Sequence, residues 1–139
     1  CMMSKKSVFE AVGGFSEDLA VAFNDIDYCM KVRSLGKLVV YAPYALLYHY
    51  ESKSRGLEDT PEKVARFNRE VAKFAKKWPE ILKNGDPYYN PNLTLRKSNF
   101  ALRDLKKEGI GQPYELDPAI KELMKDAPDQ HAAKDAQKG

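Results

Sequence analysis

The stretch Gly13-Gly14-Phe15-Ser16-Glu17-Asp18-Leu19-Ala20-Val21-Ala22-Phe23-Asn24-Asp25-Ile26-Asp27 decides how this chain reads. Paired glycines break regular structure and free the backbone to take positive φ or to approach another group closely. The loop that follows holds Phe15 and Leu19 as apolar anchors. From Asn24 the pattern turns helical. Asn24 or Asp25 can cap the helix, and Asp27 lies in its first turn, where the helix dipole favours an anion. Ile26, Cys29 and Met30 share one stripe, Tyr28, Val32 and Leu35 the adjoining one, and Gly36 is a natural stop. Asp25 can therefore serve as a base toward a hydroxyl brought within reach. Residue types alone favour the plainer role of cap, because Asp is among the commonest caps.

Working outward, residues 2–9 read as a strand end that runs into a short helix over Lys6–Val12. Downstream, Leu38-Val39-Val40-Tyr41, bounded by Pro43, has the β-branched and aromatic content of a strand. Leu46-Leu47-Tyr48-His49-Tyr50 reads as a second strand or extended segment that enters the polar loop Glu51–Asp59. Thr60-Pro61-Glu62 combines a capping hydroxyl, proline at the first helical position and an acid, a strong helix start. Val64, Phe67, Val71, Phe74 and Trp78 then form one apolar stripe, opposite a wet face of Lys63, Arg66, Arg69, Lys73, Lys76 and Lys77. Pro79 ends this helix or starts a short one that stops at Gly85. Asp86-Pro87-Tyr88-Tyr89-Asn90-Pro91-Asn92 is turn chemistry. Asp117-Pro118 opens a short amphipathic helix on Ile120, Leu123 and Met124, and the polar, alanine-rich residues from Asp126 onward read as a mobile tail.

Bulk properties narrow the function classes. At 139 residues the chain fits one modest domain. Its 23 Lys and Arg against 20 Asp and Glu alternate along the chain, for a net charge of +3, rather than forming the basic stripe that nucleic acid requires. No apolar run is long enough to span a bilayer, and the first residues carry no secretory hydrophobic core. Cys1 and Cys29 do not make a disulfide framework. A cytoplasmic location is the expectation, with the inner membrane face as a further option if the lysine-rich helix face meets anionic lipid. The opening Cys1-Met2-Met3 reads as a cut inside a longer protein. His49, at a strand end before Arg55, makes a corner suited to metal or phosphate, although a lone histidine is more often structural. Cys29 reads as a small buried apolar residue.

Four ordered runs carry a family likeness. They are Met3 to Glu17, Phe23 to Arg33, Tyr41-Ala42-Pro43 with His49-Tyr50-Glu51-Ser52-Lys53-Ser54-Arg55-Gly56, and Asp86 to Leu93. Together they resemble the C-terminal, acceptor-side half of family 2 glycosyltransferases, in particular bacterial, rhamnosyltransferase-like members that build surface polysaccharides. The resemblance covers most of residues 1–103 and leaves 104–139 as a helical or partly disordered tail. It implies an α/β fold, an incomplete GT-A-like half of a mixed sheet with flanking helices. It also implies a nucleotide-diphosphate sugar donor, a glycan or lipid-linked acceptor, and a divalent metal (Mg or Mn) held with the donor-binding half. The base of inverting members maps onto Asp25 and the histidine that can complete the metal site onto His49. Gly14, Phe15 and Glu17 map onto the acceptor-pocket loop. Asn24, which stands where the family often has Glu, completes the implied substrate-binding set with Asp27 and Arg55. Asp25-Ile26-Asp27 fits the acidic helix rather than the family's donor-side Asp-x-Asp, which has no counterpart here.

Two other classes compete. A non-catalytic glycan-binding or assembly domain could keep the scaffold, and a metal-dependent hydrolase could use Asp25, Asp27 and His49, although it needs more ligands than the sequence offers. A half-fold with exposed sheet edges would also tend to self-associate.

Overall fold

Thr60 opens the longest helix as its chemistry dictates: its Oγ accepts from the Lys63 amide at 3.4 Å and its carbonyl from Val64 at 2.9 Å. In this computed structural model, residues 1–48, 50, 60–97, 99–109 and 115–127 are described. Their helices are α1 (Lys6–Ala11), α2 (Asn24–Ser34), α3 (Pro61–Lys77), α4 (Pro79–Asn84), α5 (Leu105–Glu108) and α6 (Pro118–Asp126). The chain divides into two compact units, Cys1–Phe74 and Ala75–Gly139. Among the described residues no helix is long and apolar enough to cross a membrane.

In the first unit α1 and α2 are joined by the glycine loop. Gly13 and Gly14 both take positive φ, 72° and 66°. Phe9 of α1, Phe15 of the loop and Tyr28 of α2 form an aromatic triangle with centroids 5.4–5.7 Å apart. Edge-on and tilted contacts at such separations are favourable beyond simple burial. Ser4 adds a hydrogen bond between its hydroxyl and that of Tyr28. A Cβ on Gly14 would lie 2.9 Å from the Phe9 ring, whereas one on Gly13 would meet nothing within 4 Å. Gly14→Ala should therefore cost more than the roughly 1–2 kcal/mol of left-handed strain expected for Gly13→Ala. Urea unfolding of the two variants side by side checks the order.

The sequence stripes are rotated in the structure. On α2 the buried residues are Asp27, Tyr28 and Val32, whereas Ile26 and Leu35 are exposed. On α3 Glu70, Ala72 and Phe74 are buried, while Val64 and Phe67 stay well exposed. The apolar spacing identified both helices and part of the buried faces, Tyr28 and Val32 on α2 and Phe74 on α3, but not the two carboxylates, Asp27 and Glu70, that are buried with them.

Among the described residues, the segments read as strands form no ladder. Residues 37–48 lack regular structure apart from a turn at Pro43-Tyr44, and Leu38, Val40, Tyr41, Leu46 and Tyr48 are exposed. The only β pairing among the described residues is an isolated antiparallel bridge, Leu93 with Leu102. The physical reason is direct: a strand needs a neighbour to accept and donate its backbone hydrogen bonds. High β propensity in residues 38–41 cannot supply one.

In the second unit α4 follows Pro79 and stops at Gly85 with φ 72°, as its punctuation predicts. Asp86 and Asn90 each turn the chain by accepting from the amide two residues on, Tyr88 and Asn92, at 2.8 and 2.9 Å. Residues 92–109 then close on themselves. Thr94 and Ala101 are joined through the backbone, the buried Thr94 hydroxyl donates to Glu108 at 2.7 Å, and the Arg103 side chain donates to the Leu93 and Gly109 carbonyls. The extent of the family resemblance, to Arg103, ends inside this knot, whereas the compact units meet between Phe74 and Ala75. Asp104 caps α5, and Asp117 caps α6 by accepting from the Ala119 amide at 2.8 Å, with Pro118 in the first turn. Of the stretch read as a mobile tail from Asp126 onward, Asp126 ends α6 and Ala127 is its C-cap, while 128–139 lie outside the described residues.

Candidate functional site

Asp25 and Asp27 are two residues apart and face opposite worlds. Asp25 is exposed, whereas Asp27 is 0% exposed. Because α2 turns 100° per residue, adjacent odd positions near its start cannot share one face. The Asp27 carboxylate accepts from the Ser16 hydroxyl at 2.6 Å and pairs with Lys31, one turn later, at 3.6 Å. Lys31 in turn donates to the Gly14 carbonyl at 2.5 Å and to Ser16 at 3.3 Å. A carboxylate without water must be paired and hydrogen-bonded, and the glycine loop supplies both. The result is a polar clamp that fastens Gly14-Phe15-Ser16 to α2.

Neither Asn24 nor Asp25 is the cap. The position before the helix is Phe23, in the left-handed region at φ 64°, with no side-chain cap bond. The side chains of the first turn compensate: Asn24 Oδ1 accepts from the Asp25 amide at 2.7 Å and Asp25 Oδ1 from the Ile26 amide at 2.8 Å. These are two of the amides that a helix start leaves without a backbone acceptor. The left-handed conformation costs an L-residue about 1–2 kcal/mol, so its surroundings must hold it. Phe23 stacks on Phe74 at 5.2 Å and lies against Phe67 at 5.7 Å.

The Asp25 charge is felt locally. Burial pushes the Cys29 thiol above its ordinary value, and the Asp25 carboxylate, one turn earlier on α2, pushes it further. Both causes disfavour the thiolate.

Of the residues singled out from sequence, the structure brings Gly14, Asn24 and Asp27 into this clamp and helix start, with Gly14 and Asp27 buried. Phe15 and Glu17 are exposed on the loop, Phe15 with one side in the aromatic triangle. His49 and Arg55 lie outside the described residues. Among the described residues no group of three or more His, Cys, Asp or Glu is placed to hold a metal ion. Ser16 and Lys31 were missed by the sequence reading. The i, i+4 spacing of Asp27 and Lys31 was a usable signal, since such pairs face each other on a helix.

No family model and no solved structure matches the chain. It is similar to two curated proteins. One, 52% identical over 103 residues, is "Uncharacterized protein y4gI" of Sinorhizobium fredii; the match takes in 73% of this chain. The other, 33% identical over 109 residues and 78% of this chain, is the O-antigen biosynthesis protein RfbC of Myxococcus xanthus. The matched parts span 11% and 8% of those proteins' own lengths. The chain thus shares a segment with two far longer proteins, one of them named for O-antigen biosynthesis.

Proposed function

We propose that this chain is the acceptor-side part of an inverting glycosyltransferase of family 2 acting in cell-surface polysaccharide synthesis, with Asp25 as the base. The observation that carries the reading is the division of labour between two carboxylates. Asp27 is wholly engaged inside the clamp, and Asp25 stands exposed on the first helical turn beside it. Similarity to the O-antigen biosynthesis protein supports the pathway class.

In the step assigned to it, Asp25 takes the proton of an acceptor hydroxyl. The freed oxygen pair forms a bond to the anomeric carbon of a nucleotide-diphosphate sugar. The bond from that carbon to the diphosphate breaks, and the nucleoside diphosphate leaves with the electron pair. A single displacement of this kind inverts the anomeric centre. Asp27 leaves the substrate-contacting set and becomes the anchor of the Gly14–Ser16 loop, while Phe15 and Glu17 keep exposed positions from which to meet an acceptor. The divalent metal implied by the resemblance would bind with the donor-binding half and His49, outside the described residues, and the chemistry assigned to the described residues is proton transfer and positioning. The α/β reading belongs to the same proposal: residues 38–41 and 46–48 would find their ladder partners in sheet strands of the donor-binding half.

A second reading, a glycan-binding or assembly domain, draws on the Asp25 bond to the Ile26 amide, which gives that side chain a structural occupation. One experiment separates the two. Full-length protein is incubated with UDP-glucose, GDP-mannose or dTDP-rhamnose and a glycolipid extract of the cell envelope, and nucleoside diphosphate release is followed. Acceptor-dependent release with one donor is expected. Glycolipid binding without release from any donor would overturn the enzyme reading in favour of the second.

A further inference from the structure

The strained residue before the acidic helix is held from α3, outside the four runs that carry the family likeness. Ala22, immediately before Phe23, donates its amide to Glu70 Oε2 of α3 at 2.7 Å. Glu70 is 4% exposed, a buried carboxylate in the middle of a helix whose neighbours include Arg66, Arg69 and Lys73. One turn of α3 on either side, Phe67 and Phe74 receive the Phe23 ring. Lys73 reaches the same loop further back, donating to the Asp18 carbonyl at 3.1 Å. Phe23 then passes its own carbonyl to the Asp27 amide at 2.7 Å, the first backbone bond of α2.

The geometry points to Glu70 as a positioning residue: by holding the Ala22 amide it fixes the left-handed turn at Phe23 and thereby the direction in which α2 presents Asp25. A non-glycine residue persists at positive φ only where its surroundings over-determine it, and such residues gather where a side chain must be aimed. A charge-assisted bond to a buried carboxylate is a strong restraint of that kind. The placement of the turn stands on its own contacts; its consequence for turnover rests on the reading of Asp25 as the base.

The test uses Cys29 as a reporter, because its thiol is raised by burial and by the Asp25 carboxylate one turn earlier on α2. In full-length protein with Cys1→Ser and other reactive thiols removed, the pH dependence of Cys29 alkylation by iodoacetamide is measured. Asp25→Asn should move the midpoint to lower pH by removing one of the two causes. Glu70→Met, which keeps length and packing but accepts no hydrogen bond, should move it in the same direction by releasing the first turn. The double variant should move it no further than Asp25→Asn alone, and Glu70→Gln, which retains an acceptor, should stay near wild type. In parallel, Glu70→Met should lower kcat by about 10–10²-fold, on the scale of a misplaced catalytic group, with the donor KM unchanged. An unmoved midpoint in a folded Glu70→Met protein overturns the inference, as does a Glu70→Gln midpoint shifted as far as that of Asp25→Asn; the Gln variant decides alone if the Met variant does not fold. A moved midpoint with an Asp25→Asn variant that keeps its turnover would leave the positioning intact and remove the proposed base.

Discussion

Asp27→Ala is expected to destabilise the protein by about 3 kcal/mol, the largest stability loss of any single substitution at the site. The wild-type carboxylate is fully buried and balances Lys31 while accepting from Ser16. Alanine leaves an ammonium in the clamp with its balancing charge removed and takes the acceptor from the Ser16 hydroxyl. Breaking a buried pair from one side costs about 3–5 kcal/mol. The lower end applies because the Lys31 side chain keeps 16% of its surface in water. Asp27→Asn retains an acceptor for Ser16 and should lose less. Urea unfolding followed through the helical circular-dichroism signal checks both. A loss below about 1 kcal/mol for Asp27→Ala, the size expected of an exposed pair, would show that the clamp does not hold the glycine loop.

Much of the helical layout was legible in the sequence because local chemistry writes helix ends. Thr60-Pro61, Pro79 with Gly85, and Asp117-Pro118 each start or stop a helix where the residue types demand it. What was not legible depends on partners distant in sequence. Nothing in the sequence singles out Glu70 among the basic residues of α3, yet its carboxylate is buried against an amide 48 residues away. Phe23 carries no sign of a left-handed conformation, since asparagine and glycine are the usual occupants. Asn24 and Asp25, the two expected caps, both lie inside the helix, with Phe23 at the cap position. The strand reading of Leu38–Tyr41 fails among the described residues for the opposite cause: propensity was present and a pairing neighbour was not. Within the site, helix spacing alone puts Asp25 and Asp27 on different faces, but only three-dimensional contacts show which is the buried anchor and which the exposed carboxylate.

That separation makes Asp25→Asn the sharpest probe of the account. Asn offers the same side-chain oxygen to the Ile26 amide that Asp25 Oδ1 now satisfies, so the first turn of α2 should survive. What it removes is the ability to take a proton. General-base catalysis is typically worth about 10²–10⁴-fold in rate. The decisive measurement is the single-turnover transfer rate of the full-length protein, wild type against Asp25→Asn, with a saturating donor and with folding verified by thermal melt. The account predicts a fall of about 10²–10⁴-fold with donor binding and melting temperature near wild type. A folded Asp25→Asn protein that keeps most of its transfer rate would contradict it.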